Sequence, residues 1–227
     1  MNHLIWIGIL LTTLTPPVGT SLQAEDADIT RKERVVGLPC EGCQDVFLGI
    51  PDSLPSLSRI APASEPGEPM RIEGTAFRIN GTTAAGVVVY AYHTDAKGVY
   101  PEDVRPGDKP GSRHGRIRGW VRTDADGRYR FDTIRPAGYP GTRAPQHVHM
   151  HIIEPGRCTY YIDDILFEDD PRLSKEQAQQ MSRGRGGSGL VKPARNSSGV
   201  WVVTRDIRLG KNIPGYEECG KKLPSQQ

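Results

Sequence analysis

Three of the chain's six histidines fall within five positions, in Pro145-Gln-His-Val-His-Met-His151. His147, His149 and His151 alternate with Val148, Met150 and Ile152. In an extended strand residues i, i+2 and i+4 share a face. The three imidazoles therefore point one way and the apolar residues the other. Imidazole suits zinc, copper, iron and nickel alike, so this spacing implies a metal without choosing it. The remaining ligands must come from elsewhere. Tyr139 stands in Arg135-Pro-Ala-Gly-Tyr-Pro140 and Tyr100 in Asp95-Ala-Lys-Gly-Val-Tyr-Pro101, both turn segments. Tyrosinate is a hard anionic oxygen donor with a free pKa of about 10. A highly charged cation can deprotonate it. Taken alone, each tyrosine is more often a turn or core residue than a ligand. A carboxylate alternative is Glu154, which follows His147 and His149 in H-x-H-x4-E.

The elements that must position these groups read as short strands. Gly (26) and Pro (19) make up roughly a fifth of the 227 residues, against about 12% on average, which implies many turns. Strands are predicted at residues 71–79, 86–93, 117–123, 128–133, 147–154, 159–167 and 200–209. Asn80-Gly81 and Asp124-Ala-Asp-Gly127 mark turns between them. This pattern argues for an all-β fold, an antiparallel β-sandwich or barrel with one short helix near the C-terminal part. That helix should start at Ser174, because Ser174-Lys-Glu-Gln177 fits a capping box. The glycine-rich run Gly184-Arg-Gly-Gly-Ser-Gly189 reads as a flexible, solvated basic connection. Residues 25–70 carry prolines at 39, 51, 55, 62, 66 and 69, so no long helix fits. They form an irregular arm laid over the core.

The first 24 residues contain no Lys, Arg, Asp or Glu, and an apolar run from Leu4 to Leu14 is followed by Pro16, Pro17 and Gly19. That run is too short to span a bilayer. The layout is that of a signal peptide ending at Ala24, which implies a secreted or periplasmic protein with no stable membrane insertion. In an oxidising compartment the four cysteines favour disulfides. The preferred pairing is Cys40–Cys43 and Cys158–Cys219, the second tying the C-terminal tail to the body. The organisation is then residues 1–24 for export, 25–70 as the arm with its CxxC, and 71–227 as the sandwich and tail. Lys and Arg exceed Asp and Glu only by 29 to 27, a net charge of +2. That balance excludes a protein living mainly by phosphate contacts, so no nucleic-acid partner is expected.

From Arg71 to Pro171 the chain resembles the intradiol ring-cleavage dioxygenases, especially their protocatechuate branch. The matching text is Thr94-Asp-Ala-Lys-Gly-Val-Tyr100, the run from Gly119 through Asp124-Ala-Asp-Gly127 to Gly138-Tyr-Pro140, Pro145-Gln-His-Val-His149, and Phe167-Glu-Asp-Asp-Pro171. The resemblance implies a mononuclear non-haem Fe(III) held by Tyr100, Tyr139, His147 and His149. It also implies a small catecholic substrate, cleaved with O2 between its hydroxylated carbons. By motif position, Tyr139 is the ligand that the bound substrate displaces. A cation should stabilise developing charge. Arg143 is the candidate, although it lies four residues before His147 where the family pattern places three. His151 would sit outside the ligand set, and Gln146 would orient substrate or cap the strand. Two other resemblances remain beside this one. Gly74 to Gly81, Val87 to Ala91 and Asp126 to Phe131 are also similar to transthyretin-like and carboxypeptidase-regulatory-like sandwiches, which are non-catalytic binding modules. His147, His149 and Glu154 resemble the first metal motif of cupins, although no later histidine completes the second.

Overall fold

A computed structural model describes residues 34–39, 42–102 and 113–221. The expected export segment and Cys40 lie outside these residues. The strands are β1 (Leu57–Arg59), β2 (Pro69–Phe77), β3 (Val88–Tyr92), β4 (Arg118–Arg122), β5 (Arg128–Ile134), β6 (His147–Glu154) and β7 (Cys158–Phe167). The one α-helix among the described residues, α1 (Lys175–Met181), follows, then β8 (Leu190–Val191), β9 (Ala194–Arg195), β10 (Trp201–Thr204) and β11 (Ile207–Arg208). They form two sheets. One is ordered β1-β5-β2-β10-β9 with β11 also on β2, and the other is ordered β4-β3-β6-β7-β8.

The long ladders β2–β5, β3–β4, β3–β6 and β6–β7 are antiparallel, as expected. The short strands β1, β8, β10 and β11 join in parallel. None of these four is tied to its partner by a tight hairpin, so nothing in the connection forces reversal. The expected strand at residues 200–209 is split into β10 and β11, with fully buried Arg205 between them. The turn at Asn80-Gly81 forms, with the Arg78 amide on the Thr82 carbonyl at 2.8 Å. The strands on either side of it enter different sheets.

Alternation decides what each face of the second sheet does. Val89, Ala91, Val148, Met150, Ile152, Ile162 and Phe167 point inward and pack on Met70, Ile72, Tyr129, Phe131 and Val203 of the first sheet. Each fully buried Val, Ile, Met or Phe among them contributes about 1.5–3 kcal/mol. The outward face carries the histidines of β6 together with Tyr90, Tyr92 and Trp120, and the arm covers part of it. Val46 joins that cluster, and Phe47, Ile50 and Leu54 lie against it. The Trp120 indole donates to the Val46 carbonyl at 2.7 Å, and Arg118 donates to the Leu48 carbonyl at 2.8 Å.

The capping box forms: the Ser174 hydroxyl accepts from the Gln177 amide and the Gln177 side chain accepts from the Ser174 amide. Cys158 and Cys219 are bridged. Cys43 is also disulfide-bonded. The glycine-rich run is not solvated as expected: Gly184, Gly186, Gly187 and Gly189 are all buried. Among the described residues, no helix is long and apolar enough to cross a membrane.

Candidate metal centre

Two turns and one strand converge on a single point. The first turn follows β3. The Asp95 side chain accepts from the amides of Lys97 (2.8 Å) and Val99 (3.0 Å), while Gly98 takes the left-handed φ of +80° that the turn requires. This carries Tyr100. The second turn follows β5 and carries Tyr139. Thr94 donates to the Ala137 carbonyl at 2.7 Å, and the Ala137 amide donates to the Asp95 carbonyl at 3.0 Å. These bonds clamp the turns together.

Four donor atoms face one another as a result. The Tyr100 and Tyr139 hydroxyls are 2.7 Å apart. Tyr139 lies 3.1 Å from His147 Nε2, and Tyr100 lies 2.9 Å from His149 Nε2. The cross pair Tyr139 and His149 Nε2 are 3.4 Å apart. The far sides of both rings are already bonded. His147 Nδ1–H donates to the Pro145 carbonyl at 2.8 Å, and His149 Nδ1–H donates to Asp164 at 2.9 Å. This fixes tautomers with both Nε2 lone pairs turned inward, the usual second-sphere support for metal-bound histidine.

Asp164 was not anticipated from the sequence. It reaches His149 through a bulge: β6 pairs Val148 with Ile165 and Met150 with Ile162, so His149 faces both Asp163 and Asp164. The extra residue turns Asp164 to the histidine face instead of the core. Two consecutive acids inside the apolar strand expected at 159–167 break its alternation, and that is the signal by which Asp164 could have been found. His147, His149 and Asp164 together form a three-residue cluster able to hold a metal ion. The Asp164 carboxylate, however, is bonded on the Nδ1 side of His149, away from the inward Nε2.

Electrostatics follow from the burial. Burial, and then the neighbouring His149, lower the His147 pKa, which keeps that imidazole neutral. Burial and the hydrogen bond with Tyr139 raise Tyr100 well above the usual phenol range. Burial opposes ionisation of Asp164, but His149, by charge and by hydrogen bond, holds its carboxyl below the ordinary value. Deprotonated phenolates here therefore need a strongly charged partner.

The other expected residues divide. His151 shares the histidine face but lies deeper, 1% exposed, with its ring 5.5 Å from that of Tyr161. Burial lowers its pKa to about 3. Glu154 is not near the donors: it accepts from the Tyr160 (2.7 Å) and Tyr216 (2.8 Å) hydroxyls at the other end of β6. That removes the cupin-type arrangement. Gln146 is engaged by Arg135 and by Asp170. Arg143, the cation expected here, is exposed and is not among the residues that line the cavity beside the donors. Among the described residues, a cation that does line it is Arg113.

That cavity has a volume of about 440 Å³ and is walled by Tyr92, Tyr100, His114, Tyr139, His149, His151 and Tyr161, with Pro39 and Arg113 completing it. A second cleft of similar volume, on the outer face of the first sheet beside Glu73, Tyr129 and Asp206, has no such convergence of donors.

Residues 54–198 match a family model described as Dioxygenase. The chain is 38% identical over 76 residues to catechol 1,2-dioxygenase 1 of Acinetobacter lwoffii, covering 33% of this chain and 23% of that protein. It is 28% identical over 113 residues to the protocatechuate 3,4-dioxygenase beta chain of Burkholderia cepacia, 48% of each. The matches thus span less than half the length of these curated relatives. Among solved structures, it is similar to the dioxygenase domain of a dioxygenase–carbohydrate-binding protein fusion from Streptomyces sp. SirexAA-E. The identity there is 25% and the TM-score 0.52, over 66% of this chain and 85% of that one.

Proposed function

This chain belongs to the intradiol ring-cleavage dioxygenase family, and on that premise we propose that it is a non-haem Fe(III) dioxygenase that opens a catechol-type ring between its two hydroxylated carbons with O2. The observation that carries the reading is the convergence of Tyr100, Tyr139, His147 and His149. Two phenolic oxygens and two imidazole nitrogens make a hard, anionic donor set that fits ferric iron. A non-catalytic binding module has no use for these four donors on one point, nor for the two bonded Nδ1 atoms behind them.

Bound ferric iron would supply a Lewis-acidic and redox-active centre for a dihydroxylated ring. The chain's own groups do the rest. His147 and His149 hold their lone pairs inward through Pro145 and Asp164. Tyr139, carried on a turn, is the donor able to withdraw; ionised in the iron-loaded site, its phenolate oxygen would take a substrate hydroxyl proton and become the neutral phenol. Tyr92, His114, His151 and Tyr161 wall a slot that suits a planar aromatic ring and limits water. The leader-like first 24 residues and the Cys158–Cys219 bridge support export to an oxidising compartment.

The test is purification followed by metal analysis and oxygen uptake against a panel of catechols. About one iron per chain, a red-brown colour from tyrosinate-to-iron charge transfer, and substrate-dependent oxygen uptake are expected. A colourless protein that cannot be reconstituted with iron would refute the reading.

A further inference from the structure

We propose that the glycine-rich segment Gly184–Gly189 is a positioning device for the metal centre, acting through Arg185 on the two consecutive acids of β7. This role rests on the metal centre proposed above. It also accounts for a motif whose composition suggested nothing more than a loose connection.

Arg185 holds both groups that surround Asp164. Its Nε donates to Asp163 Oδ1 at 2.7 Å, its Nη2 to the same oxygen at 2.5 Å, and its backbone amide to Asp163 Oδ2 at 2.7 Å. The guanidinium also lies 4.6 Å from the centre of the Tyr161 ring. The Tyr161 hydroxyl donates to Asp164 Oδ1 at 3.2 Å, the same oxygen that accepts from His149 Nδ1. A continuous path therefore runs from Arg185 through Asp163 and Tyr161 to Asp164, and then to the inward Nε2 of His149.

The glycines are what let the segment reach the bulge. A Cβ on Gly184 would lie 2.3 Å from the Asp163 carboxylate, one on Gly186 2.6 Å from the Ile162 side chain, and one on Gly189 2.2 Å from the Asp164 carbonyl. The backbone closes the same contact: the Asp163 amide donates to the Arg185 carbonyl and the Leu166 amide to the Gly189 carbonyl. Fully buried Arg205 locks the segment from beneath, with its guanidinium on the carbonyls of Asp163, Arg185 and Gly186. Without this clamp Asp163 would be a buried carboxylate lacking its partner. A one-residue slip of β7 would then return Asp164 to the core face.

The experiment uses Asp164→Asn, Arg185→Gln and the double variant, each titrated with iron against a chelator. In parallel, the His149 tautomer is read by nitrogen NMR on the metal-free protein. Outer-sphere substitutions typically weaken metal affinity by about 10–100-fold. Asp164→Asn should fall in that range and Arg185→Gln should lose about 10-fold. The double variant should be no weaker than Asp164→Asn alone, because both act along one path. In the metal-free Arg185→Gln protein, His149 should change from the Nδ1–H form to a mixture of tautomers. Lower thermal stability with unchanged affinity and tautomer would overturn the proposal, as would losses that simply multiply in the double variant. If Arg185→Gln does not fold, Arg185→Lys keeps the charge but not the fork or the planar stack. It should lose affinity a few-fold, and full retention would overturn the proposal. A wild-type protein that binds no iron would refute the metal reading, while the tautomer measurement would still decide the role of Arg185.

Discussion

The hydroxyl oxygens of Tyr100 and Tyr139 lie 2.7 Å apart although 39 residues separate them in the chain. Neither strand nor sheet brings them together. The contact depends on two turns pressed so closely that a Cβ on Gly98 would sit 2.3 Å from the Gly138 carbonyl oxygen. Gly138 is equally confined, with the Ala144 carbonyl 2.3 Å from where its own Cβ would be. The geometry of the donors is thus set by glycines that touch no ligand.

Gly98→Ala should therefore damage the centre without touching it. The left-handed backbone alone costs a non-glycine residue about 1–2 kcal/mol, and the clash with Gly138 must push the turns apart. Iron affinity should drop at least about 10-fold. Gly81→Ala is the control, since Gly81 also has a positive φ but nothing within 4 Å of its Cβ position. It should cost stability and leave iron binding intact. Equal iron affinity in the two variants would refute the account.

Substitutions in the donor set should separate by role. Tyr139→Phe removes one phenolate, so the visible charge-transfer band should weaken and shift while iron remains bound. His147→Ala removes a nitrogen donor and should abolish stoichiometric iron. Metal analysis and absorption spectra check both. Unchanged iron content in His147→Ala would place the centre elsewhere.

Stability of the metal-free protein should fall on mild acidification. His93 is buried, with hydrogen bonds to the Thr94 carbonyl and the Thr133 hydroxyl, and burial lowers its pKa to about 4. His151 is lowered in the same way to about 3. The unfolded chain takes up these protons near pH 6.5 and the folded protein does not, so unfolding gains as pH drops below that value. The expected slope is about 1.4 kcal/mol per pH unit for each histidine between about pH 6 and 4.5. Urea midpoints across this range would show it, and a flat profile would refute it.

The Cys158–Cys219 bridge closes a loop with a sequence separation of 61. The chain-entropy model gives about 4 kcal/mol for such a loop. Cys219→Ser should lose most of that in denaturant unfolding. It should also loosen Tyr216, whose hydroxyl is bonded to buried Glu154. A loss under about 1 kcal/mol would mean that packing alone holds the tail.

What the sequence determined by itself was local. Alternation from His147 to Glu154 shows which side the imidazoles share, because side-chain direction in a strand depends only on period. The Ser174 capping box and the Asp95 and Asp124 turns are likewise satisfied within a few residues of themselves. The four candidate donors could be singled out because the short motifs that carry them resemble those of a known family, and the structure brings their side chains together. Tertiary structure decided everything that depends on pairing across the chain. The bulge opposite His149 brought in Asp164, and the fold left Arg143 exposed. Buried Arg205 and Asp163 turned a glycine-rich run from a loose connection into a packed clamp. The physical reason is common to all three. Register and close backbone approach are set by which distant partner fills the adjoining space, and that partner is not encoded in the neighbouring residues.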